Sequence, residues 1–209
     1  MPKIDHDTKK KILQAAEAVF HRNGFKGTRT IQIAEEAGIS RTMLHYYFNT
    51  KEALFEEVLN NTLGAIFKHL KNLIGQQPQD FEKIIENLVN VISDLFEEKP
   101  GLPGFISNIL NTSPELLLFL PAVEQDNLPA LLDHLLEEGK KKNAVAEYLT
   151  GEDLILSIYA LCSIHYIAAP YIRLKENRNE EEMKAFIRKR RPVLLHFVLN
   201  GIKPGAGKF

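Results

Sequence analysis

The sequence predicts an all-α protein: an N-terminal three-helix unit of helix-turn-helix form, followed by a longer helical body. Three observations carry this. Apolar residues recur at three- and four-residue spacing along nearly the whole chain, no competing β pattern or internal repeat interrupts them, and Gly or Pro clusters break the stripes at helical lengths. With 209 residues, 44% hydrophobic and 25% charged, the chain has the composition of a globular protein and is long enough for a small domain joined to a larger one.

The elements follow in order. Residues 8–23 set Ile12, Ala16, Val19 and Phe20 on one stripe, with Thr8 as a candidate cap and Gly24 as the stop. Lys9, Lys10 and Lys11 fall in its first turn, where cations oppose the helix dipole. That placement suits a nearby phosphate or, alternatively, a solvated lysine face. Residues 28–37, "TRTIQIAEEA", make a short second helix capped by Thr28, with Ile33, Ala34 and Ala37 inward. "GIS" turns the chain into a third helix, "RTMLHYYF", anchored by Leu44 and Phe48. Two short helices joined by a glycine turn after a longer amphipathic helix form a helix-turn-helix. Ala34 and Gly38 are small where the two helices approach.

The body begins with a long helix at 51–74, broken by "GQQPQD", and a second at 81–98. The loop "KPGLPG" precedes short helices at 105–111 and 114–120 and a longer one at 127–138, ended by Gly139. Residues 152–169 are apolar nearly all round, which predicts burial on two sides. Residues 180–201 carry a final stripe in which Pro192 is expected to kink or restart the helix.

Charge is asymmetric. Residues 1–51 hold nine Lys/Arg against five acids, a balance of +4, while the remainder holds 17 against 22, a balance of −5. A basic head on an acidic body predicts that the head alone meets a polyanion. The single cysteine, Cys162, excludes an intramolecular disulfide and points to a reducing compartment. The N-terminus lacks the apolar run of a secretory signal. The most apolar stretch, 154–169, has 16 residues, short of the ~20 a membrane span needs. A cytoplasmic protein with no membrane partner is the expectation.

The segment "TKKKILQAAEAVFHRNGFKGTRTIQIAEEAGISRTMLHYYFNTKEALFEEVL", roughly residues 8–59, resembles the DNA-binding domain of the TetR (tetracycline-repressor-like) family of bacterial transcription regulators. The first helix ending in Phe20 and "NGF", the "IAEEAGIS" core and "YYFNTKEALF" carry the resemblance together. Residues beyond 59 match in helix number and length only. The resemblance implies a DNA-binding domain at 1–51 and an effector-binding and dimerisation domain at 52–209. It implies a ligand-responsive regulator, a repressor by family habit, that binds a pseudo-palindromic double-stranded operator as a homodimer. A small effector of unknown identity would release it. Half-sites would lie ~34–36 Å apart or a multiple of that.

Carried over residue by residue, Thr28, Ser40, Tyr46 and Lys51 match positions that hold the DNA backbone, and Thr30 is counted among the DNA-binding residues without a separate role. Arg41, Thr42, Met43 and His45 match the base-facing positions. Arg41 has the fork that bridges guanine O6 and N7. Ile31 and Met43 either touch a thymine methyl or simply pack. Here the chain departs from the family pattern, which often has Gly-Thr where Thr42-Met43 stand and Tyr where His45 stands.

For the effector, the candidate pocket residues are Phe67, Phe96, Phe105, Phe119, Tyr159, His165 and Tyr166, although aromatics at helical spacing also build cores. The last two helices are the expected dimer interface, through Ile155, Ile158, Cys162, Val193 and Phe197. "RKRR", 188–191, reads as an exposed face. No cofactor or metal is expected. An enzyme is the main rival, but the sequence has no HExxH, CxxC or Gly-rich phosphate loop, and the apolar setting of Cys162 and His165 suits an inert thiol. A helical protein-interaction module is the second rival; it would need neither the basic head nor Arg41 on an open face.

Overall fold

Each ordered element in the computed structural model, which describes residues 5–75, 81–118 and 128–205, is a helix, and no strand occurs among the described residues. The helices are α1 (His6–Gly27), α2 (Thr30–Glu36), α3 (Arg41–Tyr47), α4 (Lys51–Gly75), α5 (Phe81–Glu98), α6 (Leu102–Thr112), α7 (Glu115–Leu118), α8 (Leu128–Lys141), α9 (Gly151–Ile167), α10 (Ala169–Glu176) and α11 (Glu180–Gly201). The chain folds as two units, one from Met1–Phe67 with Gly104–Asp126, the other from Lys68–Pro103 with Asn127–Phe209. α4 and α6 each begin in one unit and end in the other.

In the first unit, Asp5 rather than Thr8 caps α1. Its carboxylate accepts from the Asp7 amide at 3.2 Å and the Thr8 hydroxyl at 2.7 Å, and these bonds hold it below the usual carboxylate range, Thr8 foremost. Regular helix stops at Gly24, whose φ of 66° is left-handed; one further turn reaches Gly27. Ile12, Ala16, Val19 and Phe20 are buried as the stripe predicts, with α1 packed on α2, where Ile33 is also buried. Phe20 meets Phe55 edge-on at 4.8 Å, and Phe55 in turn packs on Phe25 and Phe105. Burying each such ring contributes roughly 1.5–3 kcal/mol.

Between α2 and α3 the backbone closes a Schellman motif. The Gly38 amide donates to Glu35 O at 3.1 Å and the Ile39 amide to Ala34 O at 3.0 Å. Gly38 is required for its φ of 67°, not for closeness: a Cβ there would meet nothing within 4 Å. Ser40 then caps α3, its hydroxyl oxygen accepting from the Met43 amide at 3.1 Å.

In the second unit, α9 lies among α8, α5 and α11. Ile84, Leu88, Ile92 and Phe96 of α5 are buried where α5 packs on α9 and α11, with Leu154 and Ile158 of α9 and Leu194 and Val198 of α11; Leu132 and Leu136 of α8 are buried where α8 packs on α9. α9 and α11 start with reciprocal capping pairs, Thr150 with Asp153 and Asn179 with Glu182. α11 runs through Pro192 as one helix, so no restart occurs. α8 continues past Gly139 to Lys141; Gly139 is small because Val145 lies against it, where a Cβ would come within 2.5 Å of Val145 Cγ2. α10 was not foreseen. Pro170 near its start and left-handed Asn177 (φ 50°) at its end are the signals that mark it.

No single helix among the described residues is long and apolar enough to cross a membrane; α9 and α10 together reach the length but bend by 50°.

Candidate nucleic-acid interface and effector cleft

α3 offers an open face. Leu44 and Phe48 point into the core, which leaves Arg41, Thr42, Met43, His45 and Tyr46 exposed on the same short helix. Ile31 of α2 and Met43 of α3 are each 46% exposed, so the packing alternative for these two is not what the fold adopts. Thr30 is half-buried and Ser40 exposed. Tyr46 is 50% exposed, its ring edge-on to Tyr47 at 5.5 Å. Tyr47 ties the chain start to α3 by accepting from the Asp5 amide at 3.2 Å.

Two expected backbone-holding residues have internal duties instead. Thr28 is 2% exposed, and its hydroxyl donates to Gly24 O at 2.7 Å. It closes the end of α1, while Arg29 precedes α2, with the Gln32 side chain accepting from the Arg29 amide at 2.8 Å. The Thr28 side chain therefore cannot reach a phosphate as the fold stands. Lys51 Nζ donates to Phe25 O at 2.9 Å and Thr28 O at 3.1 Å and lies 4.3 Å from the centre of the Phe25 ring. It pins the α1–α2 junction, and one of its three N–H bonds remains for another acceptor. Lys9 likewise pairs with Glu57 at 2.8 Å beside the Phe48 ring, while Lys10 and Lys11 stay exposed.

The expected pocket residues divide. The Phe67 side chain and Phe119 lie outside the described residues. Phe105 belongs to the first unit, packed on Phe55 and on His21 at 4.4 Å, and is therefore not with the others. Phe96, Tyr159, His165 and Tyr166 do come together in the second unit. Tyr159 and Tyr166 each stand edge-on to Phe96 at 5.9 Å, and His165 leans on Tyr166 at 4.6 Å. Burial pushes the Tyr159 phenol up to about 12, and burial with the Glu97 charge does the same for Tyr166. Burial and then Arg190 push His165 down to about 4, against a smaller pull from the Leu161 backbone. Tyr159 OH and His165 Nδ1 are buried with no hydrogen bond of normal geometry. Cys162 is buried with its thiol pushed up by burial, 3.7 Å from the Ser93 hydroxyl, as suits an inert sulfur.

Beside this cluster opens a cleft of about 460 Å³, bounded by the end of α5, α10 and the first turns of α11. Tyr166 is the one expected pocket residue that lines it; Arg173, Met183, Lys184, Ile187 and Arg188 were not foreseen.

Ile158 and Cys162 are 0% and 1% exposed and belong to the core of their own chain, which corrects their assignment to a dimer face. Ile155 is half-buried, and Val193 and Phe197 are exposed. Leu156 and Ile164, on the other side of α9, are exposed apolar residues that the sequence reading passed over. "RKRR" is only partly an open face. Arg188 pairs with Glu97 at 2.9 Å, Arg191 with Asp94 at 2.6 Å and Glu97 at 3.3 Å, and Arg190 lies half-buried beside the Phe186 ring. No cluster of His, Cys, Asp and Glu able to hold a metal occurs among the described residues.

Comparison with known proteins bears on this arrangement. Residues 12–58 match the family model described as bacterial regulatory proteins, tetR family. The HTH-type transcriptional repressor NicS of Pseudomonas putida is 32% identical over 162 residues, 74% of each chain. The HTH-type transcriptional regulator RutR of Escherichia coli is 29% identical over 201 residues, 94% of this chain and 91% of that one. Among solved structures, the transcriptional regulator FadR of Bacillus subtilis in complex with stearoyl-CoA superposes with a TM-score of 0.67 at 17% identity, covering 92% of this chain and 98% of that one.

Proposed function

The chain belongs to the TetR family of bacterial regulatory proteins, and from that premise we propose that it is a ligand-released repressor binding a pseudo-palindromic operator as a homodimer. It is a transcriptional regulator, not an enzyme. The observation that carries the operator reading is the exposed face of α3, where Arg41, Thr42, Met43, His45 and Tyr46 are open to solvent while Leu44 and Phe48 lock the helix to the core. A helix held in this way enters the B-DNA major groove, where base edges are distinguishable.

In this reading residues 1–51 are the DNA-binding domain and 52–209 the effector-binding and dimerisation domain. Arg41, Thr42, Met43 and His45 meet bases, with Ile31 and Thr30 at the groove edge. Ser40, Tyr46 and the third N–H of Lys51 meet phosphates. Val193 and Phe197 of α11, with Ile155 of α9, sit at the dimer face. The exposure of Phe197, at 65%, supports that assignment, since a large ring so placed gains by being covered. A partner of chromosomal DNA acts in the cytoplasm. An effector that prefers one spacing of the two heads shifts the population and lowers operator affinity. NicS, named a repressor, supports the sign of the effect.

Gel-shift titration of the full chain against DNA upstream of its own gene tests the proposal. Sequence-specific binding that weakens steeply with salt is the expected result. Intact protein that binds this DNA no better than a scrambled duplex refutes it.

A further inference from the structure

We propose that the cleft between the end of α5, α10 and the first turns of α11 binds a small amphipathic carboxylate, its acid on Arg173 and its apolar body on Met183 and Ile187. The inference deepens the effector reading above and rests on that reading for its consequence at the operator, though not for binding itself.

Size comes first. About 460 Å³ lies within the range of small-molecule sites, roughly 300–1,000 Å³. The floor is apolar: Met183 is buried and Ile187 half-buried, and a methionine floor adapts to varied apolar shapes. Tyr166 forms a wall, held edge-on by Phe96. Its phenol stays protonated in the neutral range and so presents a hydrogen-bond donor as well as an apolar ring.

Charge then selects the ligand. Arg188 gives its Nε to Glu97 at 2.9 Å, and Arg191 takes the other Glu97 oxygen at 3.3 Å. Lys184 lies 3.2 Å from Glu180 and 3.1 Å from Glu181. Arg173 also lines the cleft and has no carboxylate within ion-pair distance among the described residues. The cleft therefore carries one uncommitted cation over an apolar floor. A cationic ligand would face Arg173 and find Glu97 already committed. A dianionic head group would have only one free cation to meet it. A monoanionic carboxylate matches both the charge and the planar two-point geometry of a guanidinium.

Isothermal titration of the full chain, without DNA, tests this with octanoate, octanamide and acetate as probes. Octanoate should bind; octanamide should bind at least about tenfold more weakly, the difference a charge-assisted hydrogen bond makes, and acetate at least about tenfold more weakly because it has no apolar body to bury. Arg173→Gln should weaken octanoate about tenfold and leave octanamide unchanged, while Lys189→Gln, an exposed change outside the cleft, should alter neither. Equal binding of octanoate and octanamide overturns the proposal. So does octanoate binding that ignores Arg173→Gln, or no octanoate binding at millimolar concentration. Operator binding by the ligand-free chain is measured separately. Its failure beside intact Arg173-dependent octanoate binding removes the regulator reading alone; the reverse pattern removes this one alone.

Discussion

Lys51→Met separates two roles that one ammonium plays. The stem of methionine still covers the Phe25 ring, but the donations to Phe25 O and Thr28 O, at 2.9 and 3.1 Å, are lost. Hydrogen bonds from a charged donor contribute about 1.5–3 kcal/mol each, and the ring contact about 0.5–1 kcal/mol. Lys51 is only half-buried, so water reaches the freed carbonyls and recovers much of the loss. The net cost should be about 2 kcal/mol, equivalent to a fall of about 4–8 °C in Tm for a chain of this size. Circular dichroism melts measure it. A Tm within about 1 °C of the parent would refute the internal tie. Operator titrations over a salt series, run well below both melting points, read the other role. Loss of one phosphate contact should reduce the slope of log affinity against log salt by about one. An unchanged slope would show that the third N–H meets no phosphate.

The other predictions address recognition, pH and packing. Arg41→Ala should cost about 1–3 kcal/mol at the preferred operator and relax preference at one or two positions, read by binding to a randomised duplex library; an unaltered base profile would remove Arg41 from the reading face. His165 is neutral in the fold down to about pH 4, whereas in the unfolded chain it takes up a proton near the ordinary imidazole value of 6.5. The unfolded state therefore binds more protons below 6.5, and this contribution to stability is full above 6.5, drains as pH falls towards 4, and amounts to about 3 kcal/mol. His165→Phe should flatten urea-unfolding stability over that window relative to the parent; parallel curves would contradict the assignment. In Gly151→Ala the new Cβ would stand 2.1 Å from Pro129 O and 2.9 Å from Asp133 N, so α8 and α9 must part. Because backbone atoms cannot swing away, a loss of about 1–3 kcal/mol is expected by urea unfolding, and undiminished stability would refute the close approach.

Much of the architecture was legible because a helix with one apolar face declares itself by period. α5 and α11 begin and end where their stripes do, at Phe81–Glu98 and Glu180–Gly201. The α2–α3 corner was legible as well, through Gly38 and Ser40, although Gly38 proves to be there for its backbone angle rather than its size. The recognition face followed once Leu44 and Phe48 were placed inward, since the remaining residues of so short a helix have nowhere else to point.

Residue order alone dictates, then, most of the segments that coil and, for a helix with one apolar face, the stripe it buries, because these depend on neighbours within a few positions. Only the tertiary structure decided what lies against what. A helix apolar all round, such as α9, names no inner face; the packing of α5, α8 and α11 around it put Ile158 and Cys162 inside and left Leu156 and Ile164 out. Aromatics spaced as core residues were sorted by contact, Phe105 to Phe55 in one unit and Tyr166 to Phe96 in the other. Long cations were the least legible. A lysine or arginine stem reaches any acceptor within several ångströms, so the internal duty of Lys51 and the uncommitted charge of Arg173 depend on atoms far away in sequence, which only the folded chain brings near or leaves distant.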